Sequence, residues 1–243
     1  SKLTATKAEL SWARHDLHGL LWQRLINAPG AHGEYLRDIC PHTESSGVWH
    51  VTPEMKSESL AQKEAFKTLA GPWMGRDKRR GVPYTWSVSH LADGRGQTSP
   101  RSFLAAIRQA AEDSMLRNAQ HEYALHFESI KRGIQKASEI RVQEIAEDYP
   151  WILTVLSTLS GMNVPVDFEV VQEKWHQRFP EGAQNVNSAL LPAQHVNRDW
   201  EGVREDLQRL GLLETKRDGR IDMPDLYRVG FGLGRKGGVK PKS

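Results

Sequence analysis

Apolar residues recur at three- and four-residue spacing over several long stretches, so the chain reads as amphipathic helices separated by glycine- and proline-rich turns. Trp12, Leu17, Leu20, Leu21, Trp22, Leu25 and Ile26 lie between Ser11 and Pro29-Gly30, which predicts a helix over 11–27 capped by Ser11. Ahead of it there is room for a short extended segment at most. Residues 32–52 break the rhythm, leaving a helical turn near 35–40 and an ambiguous strand over 48–51. A second helix is expected over 57–70, ended by Gly71-Pro72. Thr98-Ser99-Pro100 is the sharpest start signal in the chain, because serine can cap free N–H groups and proline suits the first helical position. Phe103, Leu104, Ile107, Ala110, Ala111 and Met115 form the stripe that follows. A further helix over 127–148 carries Ile130, Ile134, Ala137, Ile140 and Ile145 and stops before Pro150.

Beyond Pro150 the units shorten. Residues 151–159 read as an apolar helix stopped by Gly161. Asp167 can open a second helix through Val170, Val171, Trp175 and Phe179, and Asn197 or Asp199 a third through Trp200, Val203, Leu207 and Leu210. Asp218-Gly219 between two short strand-like runs signals a hairpin, and another hairpin strand is expected over 226–233, followed by a flexible tail over 234–242. The expected fold is therefore mainly α: a helical bundle over 1–149, then a winged helix with a small β-hairpin and a basic C-terminal tail over 150–243, the bundle being what the resemblance described below makes lid-like.

With 243 residues the chain can bury a substantial core, and 38% hydrophobic against 26% charged residues describes a folding, polar-surfaced protein. The net charge of +3 is a small excess and does not by itself point to nucleic acid. One cysteine, Cys40, excludes an internal disulfide framework and a cysteine-rich zinc site, and fits a reducing, cytoplasmic setting. No apolar run is long enough to span a membrane. The chain begins with Ser1 rather than methionine, which fits either a fragment or a processed piece, so that a function read from it could belong to a larger protein.

No phosphate-binding loop, dinucleotide fingerprint, nucleophile elbow or paired-histidine zinc motif occurs. The ten histidines are scattered, and His121 and His126 lack helical-face spacing, so neither a metal site nor a catalytic residue is expected. Arg101 carries more weight: second in a helix whose start is set by Ser99-Pro100, it can meet an anion together with free backbone N–H groups. The same position also suits a surface arginine paired with a carboxylate.

Leu10-Ser11-Trp12 leading to Asp16-Leu17 and Leu20-Leu21-Trp22-Gln23-Arg24-Leu25, then Ser99-Pro100-Arg101-Ser102-Phe103-Leu104, then Glu147-Asp148-Tyr149-Pro150, resembles the C-terminal half of a prokaryotic STAND or AAA+-like P-loop ATPase. The resemblance implies a helical lid and winged helix that follow a nucleotide-binding core, with Pro100-Arg101 at the place of a second sensor arginine. The phosphate loop and the Mg-binding acidic strand are missing, so no cofactor is expected on this chain alone. ATP or ADP with Mg would belong to a complete parent protein, whose ATPase core would be the partner, in the same chain or in another subunit. Proteins so built serve as molecular switches, including in bacterial defence against phage.

Two basic clusters support competing readings. Arg76, Lys78, Arg79 and Arg80 form a glycine-flanked loop near Trp73, Tyr84 and Trp86 that could bind phosphates and stack a base, or simply be solvated. Arg198, Arg204 and Arg209 on the third winged helix and Lys216, Arg217 and Arg220 on its hairpin could meet a DNA backbone, although Glu201, Glu205 and Asp206 share that helix and oppose binding. The segment 141–182 is acidic, at −4, and could pair with a basic surface. The favoured function is a non-catalytic regulatory or interaction fragment of a STAND/AAA+-like switch. The alternatives are a nucleic-acid-binding winged-helix module and a structural domain that forms homo-oligomers.

Overall fold

The structure is a computed structural model and describes residues 11–186 and 190–241. It is mainly helical, with ten α-helices and two small antiparallel hairpins among the described residues. The extended segment expected before Ser11, together with Leu10 and Lys242, lies outside them. The chain divides into two compact units at Thr68–Leu69.

The first unit holds α1 (Arg14–Leu25), α2 (Gly30–Ile39), the hairpin β1 (His42–Ser45) and β2 (Val48–Val51), and most of α3 (Leu60–Ala70). The first helix starts later than its pattern suggests. Ala13, not Ser11, is its cap residue, and the Asp16 carboxylate reaches back to accept from the Ala13 N–H at 2.9 Å. The irregular region becomes a full helix and a hairpin, and Gln23 and Asn27 satisfy the β2 backbone: Gln23 Nε2 and Asn27 Nδ2 donate to the Trp49 carbonyl, and the Val51 and Trp49 N–H groups donate back to their side-chain oxygens. Side chains remote in sequence thus fix a strand that has weak alternation of its own. For α3 the effective cap is Ser59, whose Oγ accepts from the Gln62 N–H at 3.1 Å.

The second unit begins with α4 (Pro83–Ser89) and the long antiparallel pair α5 (Pro100–Arg117) and α6 (Phe127–Asp148). Phe103, Ala106 and Ala110 of α5 face Ile130, Ile134 and Ala137 of α6, all buried. Gly133 sets the closeness of this crossing, since a Cβ there would lie 2.2 Å from the Ala106 carbonyl oxygen. Arg132 spans the pair to reach Asp113 at 2.6 Å.

Tyr149 alone separates α6 from α7 (Pro150–Leu156). Then come α8 (Phe168–Arg178), α9 (Asp199–Arg209) and the hairpin β3 (Glu214–Thr215) and β4 (Ile221–Asp222), three helices followed by a wing. Val166, between α7 and α8, exchanges hydrogen bonds with Ile221 and so adds a third, one-residue strand beside β4. Trp151, Trp175 and Trp200 are buried, with the Trp175 and Trp200 rings 5.2 Å apart; they are packing residues. Asp199 opens α9, but its carboxylate accepts from the Ala183 N–H rather than capping its own helix.

Two expectations fail at the C-terminal end. Residues 226–233 are not a strand: Pro224 starts the short helix α10 (Asp225–Arg228), and turns follow. The segment 234–240 is not free either. Val239 is buried, its carbonyl accepts from Arg228, and the Lys240 carbonyl accepts from Gln135. The glycines that suggested mobility instead permit close packing; at Gly234 a Cβ would fall 2.1 Å from Asn163 Oδ1.

Candidate functional site

Arg101 sits in the first turn of α5 with its side chain 77% exposed. The Ser99 side chain makes no capping hydrogen bond, contrary to its sequence signal, and so leaves the first-turn N–H groups uncapped. The Arg101 guanidinium donates from Nη1 to Glu144 Oε1 at 2.8 Å, across the α5–α6 pair. Glu144 does not depend on that bond alone, since its Oε2 accepts from Arg141 at 3.3 Å. Arg141 in turn donates to the Tyr227 hydroxyl of α10. The geometry is an exposed cation beside uncapped amides, tethered by a carboxylate that keeps a second partner if the tether is released.

The wing cations are committed internally. Arg198 and Arg209 both hold Glu205, Arg204 pairs with Glu201 at 2.6 Å and stacks on Phe168, Lys216 pairs with Glu214 and Asp222, and Arg220 pairs with Asp218 at 2.7 Å. Desolvation would raise the Glu205 carboxyl, but the charges of Arg198 and Arg209 outweigh it and hold it below the ordinary range. Lys216 is likewise pushed up by its carboxylate partners despite desolvation. Arg217, at the exposed tip of the wing, is the member of the set with no ion pair among the described residues.

The other basic cluster is different. Met74 N–H donates to the Gly81 carbonyl at 2.8 Å and closes a loop whose buried anchor is Met74 itself. Asp77 caps a single 3-10 turn over Lys78–Arg80 and pairs with Arg79, while Arg76, Lys78 and Arg80 are exposed and have no ion pair among the described residues. The structure does not bring this loop's cations, the wing and Arg101 into one hydrogen-bonded constellation.

A second polar centre, which the sequence pattern did not reveal, lies under α10. Arg228 is wholly buried and donates to Asp225 Oδ1, the Leu233 carbonyl and the Val239 carbonyl. Arg235 donates to the same Asp225 oxygen, to Asp222 Oδ1 and to the Met223 carbonyl. Desolvation would raise the Asp222 carboxyl, yet hydrogen bonds from Lys216 and Arg235 hold it low. His90, at the end of α4, stacks on Trp86 with ring centroids 3.8 Å apart, and its Nδ1 faces the Trp86 carbonyl at 2.9 Å. Asp-x-x-Arg at 225–228 and the later Arg235 were the only signals, and ordinary charge runs look the same.

No group of three or more metal-binding side chains occurs among the described residues, and no helix there is long and apolar enough to cross a membrane. Cys40 is buried, and burial pushes its thiol up to about 12, which leaves it protonated and a poor nucleophile. No protein-family model, curated protein or solved structure matches the chain.

Proposed function

We propose that this chain is a non-catalytic regulatory module of a nucleotide-dependent switch, in which Arg101 reads the phosphates of a nucleotide held by an ATPase core in the same parent chain or in a partner subunit. The observation that carries the reading is the Arg101 tether: an exposed guanidinium beside an uncapped helix start, held by Glu144, whose other oxygen stays bonded to Arg141. A phosphate oxygen can replace the Glu144 carboxylate on Arg101 without stranding either charge. The helix dipole at the α5 N-terminus favours the same ligand. Release of Glu144 would be felt by Arg141 and through it by Tyr227 in α10, giving a contiguous route toward the winged helix.

A regulatory, protein-facing role for the winged helix is favoured over DNA binding because Arg198, Arg204, Arg209, Lys216 and Arg220, the cations of its third helix and hairpin other than Arg217, already hold carboxylates. A phosphate contact at any of these five would first have to break an ion pair. Membership of an antiphage defence system is part of the same proposal and rests on the STAND-like resemblance. The reading is tested by comparing nucleotide affinity of the parent protein carrying Arg101→Ala with the unmodified protein. Weakened binding with an unchanged melting temperature supports it; unchanged affinity overturns it.

A further inference from the structure

The basic loop over 75–81 differs from the wing in that its cations stand free while its backbone is fixed. The Met74 N–H donates to the Gly81 carbonyl at 2.8 Å, the Arg79 N–H to Asp77 Oδ1 at 2.9 Å and the Arg80 N–H to the Asp77 carbonyl at 3.1 Å. Gly75 and Gly81 bracket the turn at φ 151° and 90°, values that a side chain would strain. A Cβ at Gly75 would lie 3.1 Å from Arg80 Cγ, so the arginine stem runs along bare glycine backbone. The chain therefore presents these charges on a closed turn rather than on a slack loop.

Arg76, Lys78 and Arg80 are exposed, and none of the three holds a carboxylate among the described residues. Asp77 is the single carboxylate between residues 65 and 92. It is already taken by Arg79, whose side-chain and backbone hydrogen bonds hold its carboxyl below the ordinary range. Three uncommitted cations thus fall within five residues, and an anion meets them without displacing an ion pair. At the five paired wing cations it would have to break one.

The surroundings select among polyanions. Val82 is the only large apolar side chain exposed between Gly71 and Trp86. A protein partner docks on buried aromatic or aliphatic anchors, and a membrane takes up an apolar face or a longer polybasic run; the loop offers neither. Base stacking, which the sequence suggested, is not built here either, because Tyr84 is buried and Trp86 gives a face to His90 at 3.8 Å. Contacts to a phosphate backbone need only positioned cations.

We propose that this loop is a nucleic-acid contact that grips the phosphate backbone through Arg76, Lys78 and Arg80 without reading the bases. It is independent of the nucleotide-sensing role of Arg101.

Fluorescence anisotropy of the full chain with labelled single-stranded DNA, single-stranded RNA and duplex DNA of one length tests this. Saturable binding is expected, weakening with salt at a log–log slope of about −2 on a single strand or about −3 on a duplex, as three phosphate contacts require. The arm that binds tightest identifies the form of nucleic acid, and oligo(dA) and oligo(dT) should agree within about twofold. The triple variant Arg76→Gln, Lys78→Gln, Arg80→Gln should bind about tenfold or more weakly with an unchanged melting temperature, since no carboxylate loses a partner. A control triple variant, Lys67→Gln, Arg108→Gln, Lys136→Gln, removes the same charge from exposed cations that hold Glu64, Glu112 and Glu139, and should keep binding within about twofold. Three results each overturn the proposal: no saturable binding of any oligonucleotide, equal losses in the two triple variants, or tighter binding to polyglutamate or to phosphatidylserine-containing phosphatidylcholine vesicles than to every oligonucleotide.

Discussion

Arg228 donates its Nε to Asp225 Oδ1 at 2.8 Å in a pair whose side chains are 0% and 3% exposed. The same guanidinium bonds two backbone carbonyls, of Leu233 and Val239, so a single buried cation folds the glycine-rich C-terminal segment back onto α10. Removing one member of such a pair leaves buried groups unsatisfied, and Arg228→Met is expected to cost about 3–5 kcal/mol. Urea denaturation checks this, and a loss below about 1 kcal/mol would show that the cluster is dispensable.

The α5–α6 crossing makes a second expectation. At Gly133 any side chain would meet the Ala106 backbone rather than a movable side chain, so Gly133→Ala should destabilise by about 1–3 kcal/mol. Leu116→Ala, on the same pair of helices but 84% exposed, should change stability by less than about 0.5 kcal/mol. Thermal unfolding of the two variants side by side tests the contrast.

These two sites also show what a sequence can reveal. The α6 pattern gives its helix at 127–148 because apolar residues with period 3.6 record which face is buried, and the observed bounds coincide. The Asp-Gly turn places the wing because the turn geometry is local. By contrast, β1 and β2 are held by Gln23 and Asn27 from α1, and the tail by Arg228 and Gln135, partners that no local pattern announces. A glycine-rich basic tail reads as mobile because the same composition serves linkers, and only the partner surface reveals close packing. At Arg101 the chain position was legible, but the choice of Glu144 as partner depends on how α5 lies against α6.

His90 gives the pH dependence. Burial lowers its folded-state affinity for a proton below that of the exposed ring, against the opposing effects of the Trp86 carbonyl and Asp225. The unfolded chain therefore binds more protons as pH falls below about 6.5, and the His90 contribution to stability, complete above that pH, is lost as pH drops through the lower folded value. His90→Phe removes this contribution, so the difference between variant and unmodified protein in denaturation midpoint should shift between pH 7 and pH 5. A pH-independent difference would contradict the assignment.

The wing cations should matter more to folding than to nucleic acid. Lys216→Ala strips one partner from Asp222, whose side chain is 3% exposed, and is expected to reduce stability by about 1–3 kcal/mol. Replacing Lys216, Arg217 and Arg220 together should leave the salt dependence of any duplex DNA association unchanged. A fall in the salt slope by about one per removed phosphate contact would instead establish the wing as a DNA-binding surface.

The most direct test of the regulatory account is the affinity of the parent protein for an ATP analogue, measured with and without Arg101→Ala. Loss of a charge-assisted contact to phosphate predicts about a tenfold or greater weakening in the variant, with thermal stability preserved because Arg101 is exposed and Glu144 retains Arg141. Equal affinity of the two proteins, or no nucleotide binding by the unmodified parent, would contradict the account.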